Sequence, residues 1–318
     1  MPPKQIMTQQ LPLRIGTRGS PMALVQAEMV RDRLAAAHPD LMAPGALEIV
    51  VIRTTGDRVQ DRPLHEIGGK GLFTKEIEEA LIAGTVDLAV HSMKDVATWL
   101  PPGLEIVCLL ARDDPRDAFL SHRAKTLREL PPGAVLGTAS PRRAAQALNL
   151  RPDLRIASIR GNAGTRMRKL AAGECDATLL SLAGLRRIGE EAAIVSILST
   201  EEMLPAVAQG AIGIECRADD LAIRRILAPL HDAEAACCIA AERALLAALD
   251  GSCRTPIAAL AELRDGSLSL RAMVISPDGT QCHRTTRQGS DGDAVALGDD
   301  AGSELRLTAG PGFFLAGS

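Results

Sequence analysis

Arginines recur at strand-to-helix turns of this sequence. Arg18 follows an apolar strand-like run, Arg142 and Arg143 follow GTASP, Arg160 and Arg166 flank GNAGT, and Arg186 and Arg187 follow SLAG. A planar guanidinium grips a carboxylate through two parallel hydrogen bonds, and the first turn of a helix adds backbone donors and a favourable dipole. Any one of these arginines is as readily a solvated surface charge as a ligand contact. Their recurrence points to a ligand that carries several carboxylates or phosphates. Lys70, in GGKGLF, adds a cation among glycines that let backbone approach a ligand closely. The sequence contains no GxxxxGK[ST] loop and no strand-following GxGxxG, so a mobile loop closing over an anion fits better than a nucleotide cradle.

Asp95 closes HSMKD at the carboxyl end of an apolar strand, where α/β folds commonly display acidic catalysts. Pairing with Lys94 or capping a loop are its competing roles. His91, late in the same strand, reads as a core or hinge histidine. Cys253, in GSCRTP, has small neighbours and an adjacent Arg254, a setting for an accessible thiol with some stabilised thiolate. Cys237 and Cys238, inside a helix, read as inert buried thiols. Seven cysteines without a CxxC pair and six dispersed histidines predict neither a disulfide framework nor a metal site.

The elements that must position these groups alternate. Leu13 to Arg18 reads as a strand, and Ser20-Pro21 as cap and first turn of a helix to about Ala37. Leu47 to Arg53 is a second strand, followed by about eighteen polar residues, long enough for a lid or binding loop. A helix over Lys75 to Ala83 and a strand over Val86 to His91 complete the first series. After Pro115 the pattern restarts: strands over Ala134 to Thr138, Arg155 to Ile159 and Ala177 to Ser181, and helices over Arg142 to Leu150 and around Thr165 to Ala172. Ala211 to Cys216 is a further buried strand. This βαβ alternation predicts two open, doubly wound α/β sheets with ligands at the strands' carboxyl ends and a cleft between two domains. A helix over Asp232 to Leu249 and two strands, Ile257 to Leu263 and Leu268 to Ile275, with Asp-Gly turns at 265–266 and 278–279, predict a smaller α+β third domain. The Gly/Asp/Ala-rich tail after about Gly289 suggests no element.

Composition restricts the function further. The 318 residues are 46% hydrophobic and 24% charged, with a net charge of -3, globular proportions without the basic excess of a nucleic-acid coat. Four Phe, one Trp and no Tyr leave few platforms on which bases could stack. No apolar run reaches the roughly 20 residues of a membrane span, and MPPKQIMTQQ lacks a secretory core, so a cytoplasmic protein is expected.

Eight runs, in order, resemble one family: IGTRGSPMALVQA, GGKGLFTKE, AVHSMKD, DPRDAF, GTASPRRAAQ, IRGNAGTR, LPAVAQGAIGIECR and GSCRTPI. From about Leu13 to Ile275 the chain resembles the porphobilinogen deaminase (hydroxymethylbilane synthase) family. The resemblance implies three domains, the first (12–112 with 205–228) and second (113–204) built like periplasmic anion-binding proteins and the third (229–318) α+β. It implies a dipyrromethane cofactor joined by a thioether to Cys253. Onto that primer four porphobilinogen units are condensed, each losing ammonia to give an electrophilic azafulvene, before hydrolysis releases hydroxymethylbilane.

By the same resemblance Asp95 is the catalytic aspartate, hydrogen-bonding a pyrrole N–H and stabilising positive charge on the ring. Lys94, Thr138, Ser140, Arg142, Arg143 and Arg166 are expected at the cofactor, and Arg18, Ser20, Lys70, Arg160, Arg187 and Gln209 at the substrate. Acetate and propionate groups on every pyrrole explain the arginines, since negative charge accumulates as the chain grows. A monomer acting on a small molecule, without nucleic acid or membrane, is expected. The sequence departs from the family pattern at Ala97, at Ala139 and Pro141 before the paired arginines, and at Ser252 before the cofactor cysteine. A non-enzymatic anion-binding protein on the same two-domain fold would explain the arginines, but neither Asp95 nor a third domain carrying Cys253.

Overall fold

The computed structural model describes residues 12–58, 73–249, 256–310 and 313. Strands and helices follow in chain order as β1 (Leu13–Arg18), α1 (Pro21–Ala37), β2 (Leu47–Ile52), α2 (Lys75–Ile82), β3 (Leu88–Ser92) and β4 (Leu104–Leu109). Next come β5 (Asp117–Ser121), β6 (Val135–Gly137), α3 (Pro141–Leu150), β7 (Arg155–Ala157), α4 (Ala163–Ala171), β8 (Ala177–Ser181), α5 (Leu182–Arg187) and β9 (Ser196–Ile197). The series ends with β10 (Ile212–Arg217), α6 (Leu221–Leu227), α7 (Ala233–Ala248), β11 (Ile257–Arg264), β12 (Ser267–Ile275), β13 (Cys282–Ser290) and α8 (Ala294–Ala309).

By contacts the described residues form two compact units, one up to Ala111 together with Ile212–Ala233, the other Arg112–Ala211 together with the residues from Glu234 on. The first holds a five-stranded sheet in the order β2-β1-β3-β10-β4, with β1 parallel to β2 and β3, and β10 antiparallel to β3 and β4. Alternation along the strands sends side chains to opposite faces. In β3, Leu88 and Val90 join Ile15 and the α1 residues Ala27, Val30 and Leu34 in one core, while Ala89 packs with Ile77 and Leu81 of α2 in another. Helices therefore cover both faces, the doubly wound arrangement that the alternating pattern predicts.

The second unit repeats the plan with the order β7-β6-β8-β5-β9. Phe119 and Leu179 face one core that includes Ala147 of α3, whereas Ala118, Leu120 and Leu180 face another that includes Leu170 and Leu185. The same unit contains a separate antiparallel sheet, β11-β12-β13, whose Ala258, Leu260, Met273 and Ile275 pack with Ala145 and Leu204. Its first hairpin turns at Asp265-Gly266, with φ of 50° and 75°, the two positive values that a type I′ turn demands. Beyond it lies β13, a strand the sequence reading did not name, and then the 16-residue helix α8, in the tail after about Gly289 for which the sequence suggested no element.

Glu242, fully buried on α7, braces this unit. Its carboxylate accepts from Arg112 Nη1 at 2.6 Å and from the backbone N–H groups of Ala208 (2.6 Å) and Ala261 (2.8 Å).

Candidate functional site

In the first unit two functional candidates meet at the carboxyl ends of neighbouring parallel strands. Arg18 ends β1, and Asp95 lies in the 3-10 turn Met93–Asp95 that follows β3. Arg18 Nη1 stands 3.9 Å from Asp95 Oδ2, and its guanidinium carbon lies 4.1 Å from the centroid of the Phe73 ring, a cation–π contact. Asp95 keeps 35% of its side-chain surface exposed, so it can reach a ligand. The turn that carries it rests on Gly213 of β10: a Cβ there would lie 2.1 Å from Met93 Sδ. The bare Cα of Gly213 leaves the space that the Met93 side chain fills. Lys94 is exposed on the same turn.

Beneath that turn, His91 Nε2 lies 2.9 Å from Glu215 Oε2, both side chains buried, in the satisfied core role that the sequence suggested. Ser20 caps α1, its Oγ accepting from Ala23 N at 3.3 Å with Pro21 in the first turn.

In the second unit Thr138, Ser140, Arg142, Arg143 and Gln209 come together. Ser140 donates its N–H to Thr138 Oγ1 at 3.1 Å and accepts from Arg143 N at 3.4 Å as the cap of α3. The two arginines that follow are buried and converge on Asp117, a residue to which the sequence reading gave no role. Arg142 Nη2 donates to Asp117 Oδ2 at 2.7 Å and Arg143 Nη2 to Oδ1 at 2.8 Å. Gln209 spends one amide nitrogen on Asp117 Oδ1 (2.8 Å) and Pro115 O (2.7 Å). The signal available in the sequence was a carboxylate opening the apolar run DAFLS, which a buried strand tolerates only with partners.

Arg187 is also nearly buried, donating to Asp113 Oδ2 at 2.8 Å and Gly210 O at 2.6 Å. Gly210, at φ 90°, lies so near this segment that a Cβ would come within 2.4 Å of Asp113 O. Arg160 and Arg166 stand at the turn into α4. Asn162 caps that helix by accepting from Thr165 N at 2.9 Å, and Arg166 Nε donates to Gly161 O at 2.9 Å. Arg160 Nη1 is buried with no hydrogen-bond partner among the described residues. Lys70 and Cys253 lie outside the described residues.

Burial pushes the thiols of Cys108, Cys216 and Cys238 up to about 12, 11 and 11, which removes them as nucleophiles near neutral pH. Cys237 departs from the expectation of a fully buried thiol. It is half-buried, with Sγ donating to Asp291 O at 3.4 Å, because α7 turns it toward the 3-10 turn Asp291–Asp293.

The polar groups left over fit an anionic cofactor. Arg160 Nη1 and Arg142 Nε are buried donors without acceptors among the described residues, and two guanidiniums share the single charge of Asp117. A ligand bearing several carboxylates would satisfy both kinds of surplus.

Comparison with known proteins agrees. The family model described as porphobilinogen deaminase, dipyromethane cofactor binding domain, matches residues 13–225, and that described as porphobilinogen deaminase, C-terminal domain, matches residues 236–306. A porphobilinogen deaminase of Nitrobacter hamburgensis is 56% identical over 300 residues, 94% of each chain. One of Paracoccus denitrificans is 53% identical over 310 residues, 98% of each chain, and a chloroplastic one of Oryza sativa subsp. japonica is 53% identical over 305 residues, 95% of this chain and 85% of its own. Among solved structures, a nutrient binding protein from Burkholderia cenocepacia bound to methionine aligns with 68% of this chain and 90% of its own at 16% identity and a TM-score of 0.42, a distant likeness. Two adjoining domain models and relatives more than half identical across almost the whole length show that the chain belongs to the porphobilinogen deaminase family.

Proposed function

We propose that the arginines and the aspartate described above work together in a porphobilinogen deaminase. The enzyme is a transferase that joins four porphobilinogen molecules with loss of ammonia and releases hydroxymethylbilane, in tetrapyrrole biosynthesis. The observation that carries this reading is the match of the cofactor-binding domain model over residues 13–225, the span that contains Asp95, Lys70 and every arginine assigned to cofactor or substrate.

In this reading Lys94, Thr138, Ser140, Arg142, Arg143 and Arg166 hold the dipyrromethane, with Cys253 as its covalent anchor. When bound, that group supplies the free pyrrole α-carbon at which chain growth begins. Arg18, Ser20, Lys70, Arg160, Arg187 and Gln209 bind the incoming substrate, the guanidiniums taking its acetate and propionate groups as charge-assisted pairs. Asp95 accepts a hydrogen bond from the substrate's pyrrole N–H and opposes the positive charge that develops on the ring as the C–N bond to ammonia breaks. Arg18, 3.9 Å away, faces Asp95 as its ion-pair partner.

We also read the second unit as two domains, since β11–β13 form a sheet of their own. The protein acts as a cytoplasmic monomer on a small molecule without nucleic acid. Its net charge of -3 and scarcity of aromatic residues support a small-molecule site. Among the described residues no helix is long and apolar enough to cross a membrane.

An intact mass of the purified protein tests the assignment together with a porphobilinogen-consumption assay. The expected result is an increment of two linked pyrrole units, a pink response to Ehrlich's reagent and turnover. Cys253→Ser should lose increment and turnover, while Cys238→Ser keeps the increment. An unmodified wild-type protein that binds porphobilinogen without consuming it would overturn the enzyme reading.

A further inference from the structure

Asp117 opens β5 and is completely buried. Alternation along the strand places it on the face of Phe119, the face covered by α3. A carboxylate in such a place is stable only if its lone pairs are filled. Four donors fill them: Arg142 Nη2 (2.7 Å), Arg143 Nη2 (2.8 Å), Arg143 Nε (3.3 Å) and Gln209 Nε2 (2.8 Å). Burial alone would raise its pKa, but the charges of Arg142 and Arg143 outweigh that and hold the carboxyl well below the usual range.

Consecutive helix residues point about 100° apart and do not face one another. Arg142 and Arg143 are consecutive in the first turn of α3, so helix geometry alone would splay their guanidiniums. Asp117 draws both to one point, and Leu204 O fixes the far end of Arg142 at 2.7 Å from Nη1. Two positive charges then face one negative charge. The donor Arg142 Nε is buried without an acceptor among the described residues.

We propose that Asp117 is the positioning residue of the arginine pair: it converges two guanidiniums that the helix would separate, and, bearing one charge against two, leaves one positive charge in surplus for a ligand carboxylate. The inference rests on the deaminase reading, because that reading supplies the polycarboxylate which the pair would hold. Asp117 itself touches no ligand.

The test compares wild type, Asp117→Asn and Asp117→Glu as cofactor-free proteins incubated with porphobilinogen. The readouts are the rate at which the two-pyrrole mass increment appears, the urea midpoint, and KM and kcat of whatever holoenzyme forms. Asn keeps the shape without the charge, whereas Glu restores the charge one methylene out of place. Misplacing a binding group by about 1 Å can cost roughly 100-fold in rate. The expected outcome is that both variants load at least about tenfold more slowly than wild type, that Glu recovers most of the urea midpoint without recovering loading, and that KM rises more than kcat falls.

Full recovery of loading by Glu would overturn the proposal, since charge balance alone would then suffice. Wild-type loading by Asn would overturn it too, and so would failure of both variants to fold, which would make the role purely structural. Failure of wild type to load would instead refute the deaminase reading, so the two failures are distinguishable.

Discussion

A guanidinium nitrogen buried without an acceptor, as Arg160 Nη1 is among the described residues, costs free energy until a carboxylate reaches it. Arg160→Ala removes both the cost and the ligand contact. Porphobilinogen binding should weaken about tenfold to a hundredfold, the equivalent of one charge-assisted hydrogen bond, while the urea midpoint holds or rises slightly. Single-turnover titration beside a denaturation curve measures both, and unchanged affinity would remove Arg160 from the site. Asp95 has the opposite profile. Asp95→Asn keeps shape but loses the charge that opposes a ring cation, so the chemical step should slow by about 10²–10³, the scale of deleting one oxyanion-hole donor. Affinity should change less, because the arginines still hold the carboxylates. Elongation by this variant at the wild-type rate, followed by mass spectrometry after rapid mixing, would make the aspartate structural. Arg18 and Asp95 were legible as a pair of candidates because each stands at the end of an apolar strand. Asp117 was not, since sequence alone does not show that α3 will lay two guanidiniums over the first residue of β5.

Among the elements, β1 and β8 could be bounded from the sequence to the residue, because β1 stops before the Ser20-Pro21 helix start and β8 ends at Ser181, the cap of α5. Helix α8 could not. Its sequence, AVALGDDAGSELRLTA, carries two glycines and two adjacent aspartates, which local propensity reads as breakers. The structure gives the glycines another role. A Cβ on Gly298 would meet Ala241 O at 2.2 Å, and one on Gly302 would meet Leu245 O at 2.7 Å, so the pair, four residues apart, lets α8 approach the α7 backbone. That decides the sign of a substitution. In an exposed helix Gly→Ala stabilises by about 1 kcal/mol, but here the added methyl meets α7 backbone and Ala244 Cβ, none of which can swing aside. Gly298→Ala should therefore destabilise the protein by about 1–3 kcal/mol, read from urea unfolding, and a stabilised variant would show that the two helices do not pack this closely.

For the molecule as a whole, stability follows pH through groups whose proton affinity differs between the folded and unfolded chain. Asp117 and Glu78 act in opposite senses. The depressed carboxyl of Asp117 contributes stability that is fully present above its unfolded value of about 3.9 and is lost as pH falls toward its folded one. Glu78, on α2, is raised, first by burial and then by the nearby charge of Glu215, against the lowering effects of the Thr74 hydroxyl and His91. A raised carboxyl binds its proton more tightly in the folded state. Stability is therefore lost as pH climbs from its unfolded value, about 4.3, through its folded one. Glu78→Gln keeps the shape of the side chain and cannot ionise. Its urea midpoint should exceed the wild-type value near pH 7, and the difference should close as pH falls toward about 4, where the wild-type carboxyl is protonated in both states. A difference that stays constant between those pH values would mean that Glu78 ionises alike in the folded and unfolded chain. A variant less stable at every pH would mean instead that the buried carboxylate is held by partners strong enough to offset its desolvation.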